Sequence, residues 1–142
     1  MSSETIHKIV IDTNVFISAL LFRGPTSRLV SFWQKGTVSV LLSSEVLKEY
    51  ARVLAYPKFK LTKKEIRGLL EQELLPYVIP VKVKNHLNVI TQDPEDNKFL
   101  DLVKEGSADF ILSGDKHILD LKDFRGIQIM TPAEFFDLIK KR

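Results

Sequence analysis

The chain has 142 residues, of which 44% are hydrophobic and 27% are charged, and its formal net charge is +3. This composition is typical of a globular protein, so we expect residues 1–142 to form one domain. The mildly basic charge is compatible with a polyanionic partner but does not by itself indicate one. Cysteine is absent, which excludes a disulfide scaffold, a thiolate zinc site and a cysteine nucleophile.

Strand and helix patterns alternate along the chain. The sequence predicts strands at 7–11, 38–42, 78–81, 110–113 and 127–130. It predicts helices at 14–22, 26–35, 44–55, 62–75, 94–105 and 131–140. Strands separated by helices predict an α/β sandwich with a mostly parallel sheet, in which a ligand binds beyond the carboxyl ends of the strands.

Two aspartates follow strands of this predicted sheet. Asp12 comes directly after the first strand, and Asp115 comes shortly after the fourth. Because parallel strands end at the same edge of a sheet, we expect both carboxylates to face one crevice. Each also has a purely structural interpretation: Asp12 would cap the next helix, and Asp115 would belong to a turn after Ser113.

Two predicted helices contribute further acids. Asp96 shares the apolar face of the helix at 94–105, and Glu49 lies on the flank of the apolar face of the helix at 44–55. The structural alternatives are a dipole-stabilising acid for Asp96 and an ordinary surface acid for Glu49. The case for a site therefore depends on all four acids converging.

Four acids in a chain with three histidines and no cysteine suit a hard cation, because Mg²⁺ and Mn²⁺ prefer oxygen ligands. Gathered carboxylates repel one another unless a cation or shared protons compensate them. The chemistry that this arrangement favours is metal-assisted hydrolysis of a phosphodiester, in which the cation activates water and a nearby acid accepts a proton.

Four motifs in this order resemble those of the PIN-domain ribonucleases. They are IVIDTNVFISALL at 9–21, SSEVLKEYARVLAYPKF at 43–59, DPEDNKFLDLV at 93–103 and ADFILSGDKHIL at 108–119. The resemblance extends from about residue 8 to residue 138 and is strongest to the toxin components of toxin–antitoxin pairs. It places the family's acids and their polar neighbours at Asp12, Glu49, Asp96, Asp115, Asn14 and Ser113.

The resemblance implies a three-layer α/β/α fold, dependence on Mg²⁺ or Mn²⁺, cleavage of single-stranded RNA, an antitoxin partner and a homodimer. We hypothesise that the three aspartates hold one or two cations, directly or through water. Glu49 would join them by binding a cation through water or by orienting the attacking hydroxide. Asn14 and Ser113 would supply supporting hydrogen bonds.

Three other functions compete with this interpretation. A phosphotransferase of the haloacid dehalogenase type would use Asp12 as nucleophile, but it needs a second aspartate where this chain has Asn14. A response-regulator receiver domain needs paired acids after the first strand, and Asp12 stands alone there. A non-catalytic module that binds RNA or protein on the same fold stays open.

Five basic residues near the motifs are candidates for backbone phosphate contacts, although a solvated charged surface is the better explanation of any single one: Arg23, Arg28, Arg52, Lys98 and Lys116. Trp33 is expected in the core or in a dimer face. The absence of cysteine fits a reducing cytoplasm, and the sequence predicts neither a signal peptide nor a membrane-spanning segment.

Overall fold

The computed structural model describes residues 6–84, 97–121, 123–124 and 126–140. These residues form one sheet in the order β3-β2-β1-β4-β6-β5. Its strands are β1 (His7–Ile11), β2 (Val38–Leu42), β3 (Val78–Pro80), β4 (Phe110–Leu112), β5 (Asp123–Phe124) and β6 (Ile127–Met130). Neighbouring strands run parallel except β5 against β6, which confirms the mostly parallel sheet.

Helices fill the connections between these strands. They are α1 (Thr13–Leu21), α2 (Arg28–Gln34), α3 (Ser44–Leu54), α4 (Lys63–Gly68), α5 (Asn97–Gly106), α6 (Lys116–Leu119) and α7 (Pro132–Lys140). None of these helices is both long and apolar enough to cross a membrane, as far as the described residues go.

The central strand β1 shows that helices cover both faces of the sheet. Its consecutive residues Ile9, Val10 and Ile11 are all fully buried. Because successive side chains of a strand point to opposite faces, burial of all three requires a layer on each side. The fold is thus the predicted three-layer α/β/α sandwich, and Trp33 lies in its core.

The predicted helix at 62–75 is interrupted in the structure. After α4 the chain forms a π-helical turn at Leu69–Leu74 and a 3₁₀ turn at Leu75–Tyr77. Pro76 accounts for the end of the helical segment, because proline has no N–H with which to continue the ladder. The Glu73 carbonyl instead accepts hydrogen bonds from Trp33 Nε1 at 2.8 Å and Gln34 Nε2 at 3.2 Å.

The end of α5 lies one residue beyond its predicted end at residue 105. Gly106 is the last helical residue, and Ser107 takes the left-handed conformation with φ 53°. A Cβ on Gly106 would lie 2.6 Å from Leu41 Cδ1, so glycine here lets α5 pack closely on the sheet. The predicted start of this helix at Pro94 lies outside the described residues.

Two short elements were not predicted, namely α6 and β5. Both are shorter than the windows in which a hydrophobic period can be recognised. β5 pairs with β6 across Gly126, whose φ of 83° suits glycine.

Candidate functional site

A cleft of about 700 Å³ contains three of the four acids that the sequence predicts as a site: Asp12, Glu49 and Asp115. Asn14 also lines it, with its side chain exposed to solvent. The fourth acid, Asp96, lies outside the described residues, immediately before α5. Every predicted acid that the structure describes therefore lines the same cleft.

Asp12 occupies the turn from β1 into α1 and is only 3% exposed. Its Oδ1 accepts a hydrogen bond of 2.8 Å from the Val15 N–H, so the residue caps α1. Its Oδ2 accepts hydrogen bonds from the Ser113 hydroxyl and, at 3.3 Å, from the Gly114 N–H. Asp12 therefore both caps α1 and lines the cleft, because Oδ1 accepts the capping hydrogen bond and Oδ2 accepts hydrogen bonds from the residues after β4.

The register of β1 and β4 positions this contact. Ile11 pairs with Leu112, so the next residues on the two strands, Asp12 and Ser113, are neighbours at the carboxyl edge. Ser113 is fully buried and accepts a hydrogen bond of 2.9 Å from the Asp115 N–H. One hydroxyl thus ties the backbone of Asp115 to the carboxylate of Asp12.

The electrostatics of Asp12 are unfavourable to its own charge. Burial raises the pKa of Asp12, and the nearby charge of Asp115 raises it further. Hydrogen bonds from Ser113, Val15 and Gly114 act in the opposite direction but do not cancel the effect. A cation beside Asp12 and Asp115 would offset both the cost of burying the charge of Asp12 and its repulsion by Asp115.

Glu49 lies on α3 with its side chain 12% exposed. Its carboxylate accepts hydrogen bonds from the Thr13 hydroxyl and from Lys98 Nζ, the latter at 2.6 Å, and Arg52 Nη2 is 3.5 Å away. Burial alone would raise the pKa of Glu49, but Lys98, Thr13 and Arg52 together lower it below the ordinary value. This acid is therefore held in its ionised form.

Sequence reasoning missed two residues that hold Glu49. Thr13 was given no role, and Lys98 was considered only as a contact for backbone phosphates or as a solvated surface residue. The motif order gave no signal for either, because the contacts join α1, α3 and α5 across the fold. Tyr50 was also missed; its hydroxyl donates to the Ile11 carbonyl and its ring stacks on Phe16, which fixes α3 against β1.

The donor chemistry fits a hard divalent cation, since Asp12, Asp115 and Glu49 offer carboxylate oxygens to one cleft. Within the described ranges, no three His, Asp or Glu side chains are close enough together to hold a metal ion. Asp12 and Asp115 are the pair whose charges interact there.

Comparisons with known proteins agree with the fold and the motifs. A family model described as PIN domain matches residues 8–117. The uncharacterized protein MJ1680 of Methanocaldococcus jannaschii is 28% identical over 144 aligned positions, which cover 94% of this chain and 92% of that protein. The crystal structure of FitAcB from Neisseria gonorrhoeae has a TM-score of 0.58 and 17% identity, over 88% of this chain and 98% of that one.

Proposed function

The chain belongs to the PIN-domain family, and from that premise we propose that it is a Mg²⁺- or Mn²⁺-dependent endoribonuclease that cleaves single-stranded RNA. PIN domains are generally nucleases. The observation that carries the proposal is the cleft shared by Asp12, Glu49 and Asp115. In this cleft the pKa of Asp12 is raised, while the pKa of Glu49 is lowered and its carboxylate stays ionised. Such divergent environments are typical of acids with different roles in one reaction.

The roles follow from these environments. Asp12 and Asp115, with Asp96, would hold the cation, which supplies Lewis-acid activation of water and neutralises charge on the phosphate. Glu49 would orient the attacking water, since its carboxylate is held ionised and can accept a hydrogen bond from that water. Ser113 would keep Asp12 in place, and Asn14, exposed in the cleft, would contact the substrate or a water.

We extend the proposal to the setting of the enzyme. The motif resemblance supports a toxin of a toxin–antitoxin pair, which would have an antitoxin protein as partner, act as a homodimer and work in the cytoplasm. Each of these is separable from the cleavage reaction and needs its own test.

The test of the reaction is cleavage of a mixed-sequence single-stranded RNA in Mn²⁺ or Mg²⁺ and in EDTA. An Asp12→Asn, Asp96→Asn double variant tests the site, and Asp120→Asn, which changes an exposed acid after α6, is the matched control. We expect cleavage that needs the cation, survives in the control and disappears in the double variant.

Three results would contradict the proposal. Cleavage that persists in the double variant would mean that these carboxylates do not form the site. Absence of cleavage by folded protein would favour the non-catalytic binding module. A covalent acyl-phosphate on Asp12 would instead indicate phosphotransfer.

A further inference from the structure

The cleft that holds the acids has a second group of lining residues, which the proposed reaction does not use. We call it the aromatic–cationic wall, and it consists of Phe22, Arg52, Tyr56, Lys58 and Phe59. Phe22 follows α1, Arg52 lies on α3, and the other three lie in the turn after α3.

Two rings of this wall are unusually exposed for apolar side chains. Phe22 is 54% exposed and Tyr56 is 38% exposed. The ring centroids of Phe22 and Phe59 are 6.2 Å apart, so the rings of these two residues adjoin each other. Adjoining exposed apolar side chains that are rimmed by polar residues are typical of a binding surface.

Cations alternate with the rings. Arg52 Nη1 donates a 2.8 Å hydrogen bond to the Tyr56 hydroxyl, and its Cζ lies 5.9 Å from the Tyr56 ring centroid. Lys58 Nζ lies 5.1 Å from the Phe59 ring centroid. Both cations are exposed, so they are available to an anion that lies along the rings.

The local sequence explains why these side chains project together. Pro57 keeps Tyr56 extended, with φ −61° and ψ 136°, and so ends α3. Pro57–Phe59 then forms a single 3₁₀ turn, and Lys60 leaves it in the left-handed conformation with φ 54°. The tight turn places two aromatic residues and one lysine at the mouth of the cleft.

The wall is continuous with the acids. Arg52 Nη2 lies 3.5 Å from Glu49 Oε1, while Nη1 of the same guanidinium holds Tyr56. A chain bound along the wall would therefore pass directly beside Glu49, the acid that we propose to orient the attacking water.

We propose that the aromatic–cationic wall binds the unpaired bases of the RNA substrate, with the rings stacking on bases and the two cations contacting backbone phosphates. Aromatic faces interleaved with cations are the arrangement that recognises single strands without reading their sequence. A duplex would fit poorly, because its bases are already stacked and its faces are hidden. The proposal rests on the proposed function for the identity of the polymer.

The first experiment measures binding of a single-stranded RNA that carries 2-aminopurine, in EDTA, where no cleavage is expected. Tyr56→Leu removes a ring, Tyr56→Phe keeps it, and Tyr77→Leu is the matched control because Tyr77 is also 38% exposed but lies outside the cleft. We expect Tyr56→Leu to weaken binding roughly 5- to 100-fold and to reduce the fluorescence change, with Tyr56→Phe near wild type. Phe22→Leu should behave like Tyr56→Leu.

A second experiment tests the cations. Lys58→Gln should lower the slope of the logarithm of Kd against the logarithm of salt concentration by about one, because one phosphate contact is lost. Lys35→Gln, an exposed lysine at the end of α2, should leave the slope unchanged.

The outcomes separate the wall from the reaction. RNA binding that needs Tyr56, without any metal-dependent cleavage, would support the wall and refute the nuclease. Cleavage with KM unchanged in both Tyr56→Leu and Phe22→Leu would refute the wall and leave the nuclease standing. If the wild-type protein binds no RNA, the wall proposal is wrong and a protein segment becomes the better candidate for its occupant.

Discussion

Replacing Lys98 by methionine removes an ammonium group from Glu49 while keeping a flexible apolar stem. The Nζ–Oε1 distance is 2.6 Å, and the two side chains are only 14% and 12% exposed. A hydrogen bond to a charged group contributes about 1.5–3 kcal/mol, and leaving a fully buried charge unpaired costs roughly 3–5 kcal/mol. Glu49 keeps the Thr13 hydroxyl and Arg52, so we expect a loss of about 2 kcal/mol in the free energy of unfolding at pH 7.

The loss should depend on pH in a defined direction. Burial alone would raise the pKa of Glu49, but Lys98 and its other partners lower it below the ordinary value of 4.5. A carboxyl group with a lowered pKa in the folded state stabilises the protein above its unfolded pKa, and this contribution disappears as pH falls through the folded pKa. The difference between wild type and Lys98→Met should therefore be full at pH 7 and shrink below pH 4.5.

Urea denaturation in EDTA, followed by the fluorescence of the single tryptophan, measures both effects. Trp33 is 2% exposed, so unfolding changes its surroundings strongly. Lys104→Met is the matched control, because Lys104 is an exposed lysine on the same helix. A Lys98→Met variant as stable as Lys104→Met, or one with the same deficit at pH 4 and pH 7, would refute the reasoning.

Three further changes test other parts of the account. Asp12→Asn should raise the melting temperature in EDTA at pH 7. Burial raises the pKa of Asp12, so the ionised carboxylate destabilises the fold at that pH, whereas asparagine is uncharged and caps α1 equally well. This advantage should shrink on acidification, as the wild-type carboxylate takes up a proton. Ser113→Ala should lower the free energy of unfolding by about 1–3 kcal/mol and weaken Mn²⁺ binding roughly 10- to 100-fold, measured by calorimetry, because Ser113 bridges Asp12 and the Asp115 N–H. Thr62→Ala should cost about 1 kcal/mol in urea denaturation without changing RNA cleavage, because it removes the capping box of α4.

The sheet and the acids at its edge could be predicted because both depend on local signals. Strands β1 and β2 each end in a run of three buried, branched apolar residues, and their predicted bounds match the structure. Once the strands are parallel, topology alone brings Asp12 and Asp115 to the same edge. The sequence also indicated that Asp12 could cap the next helix. In the structure Asp12 makes this capping hydrogen bond and lines the cleft as well.

The partners of Glu49 and the aromatic–cationic wall could not be predicted in this way. Thr13 is 36 positions and Lys98 is 49 positions away from Glu49 along the chain. No hydrophobic period in the sequence indicates contacts over such separations. Phe22 and Phe59 belong to separate elements, and each by itself resembles a core residue. Pro57 shapes the turn after α3 locally, but the contact between Phe22 and Phe59 depends on how the end of α1 packs beside that turn.

The central claim is that carboxylates after β1 and β4 form one metal-dependent nuclease site. The rate of single-stranded RNA cleavage as a function of Mn²⁺ concentration, in wild type and in Asp115→Asn, tests it most directly. We expect cleavage to depend on Mn²⁺ and Asp115→Asn to need a higher Mn²⁺ concentration for half-maximal rate. Identical Mn²⁺ dependence in the two proteins, or cleavage without the cation, would contradict it.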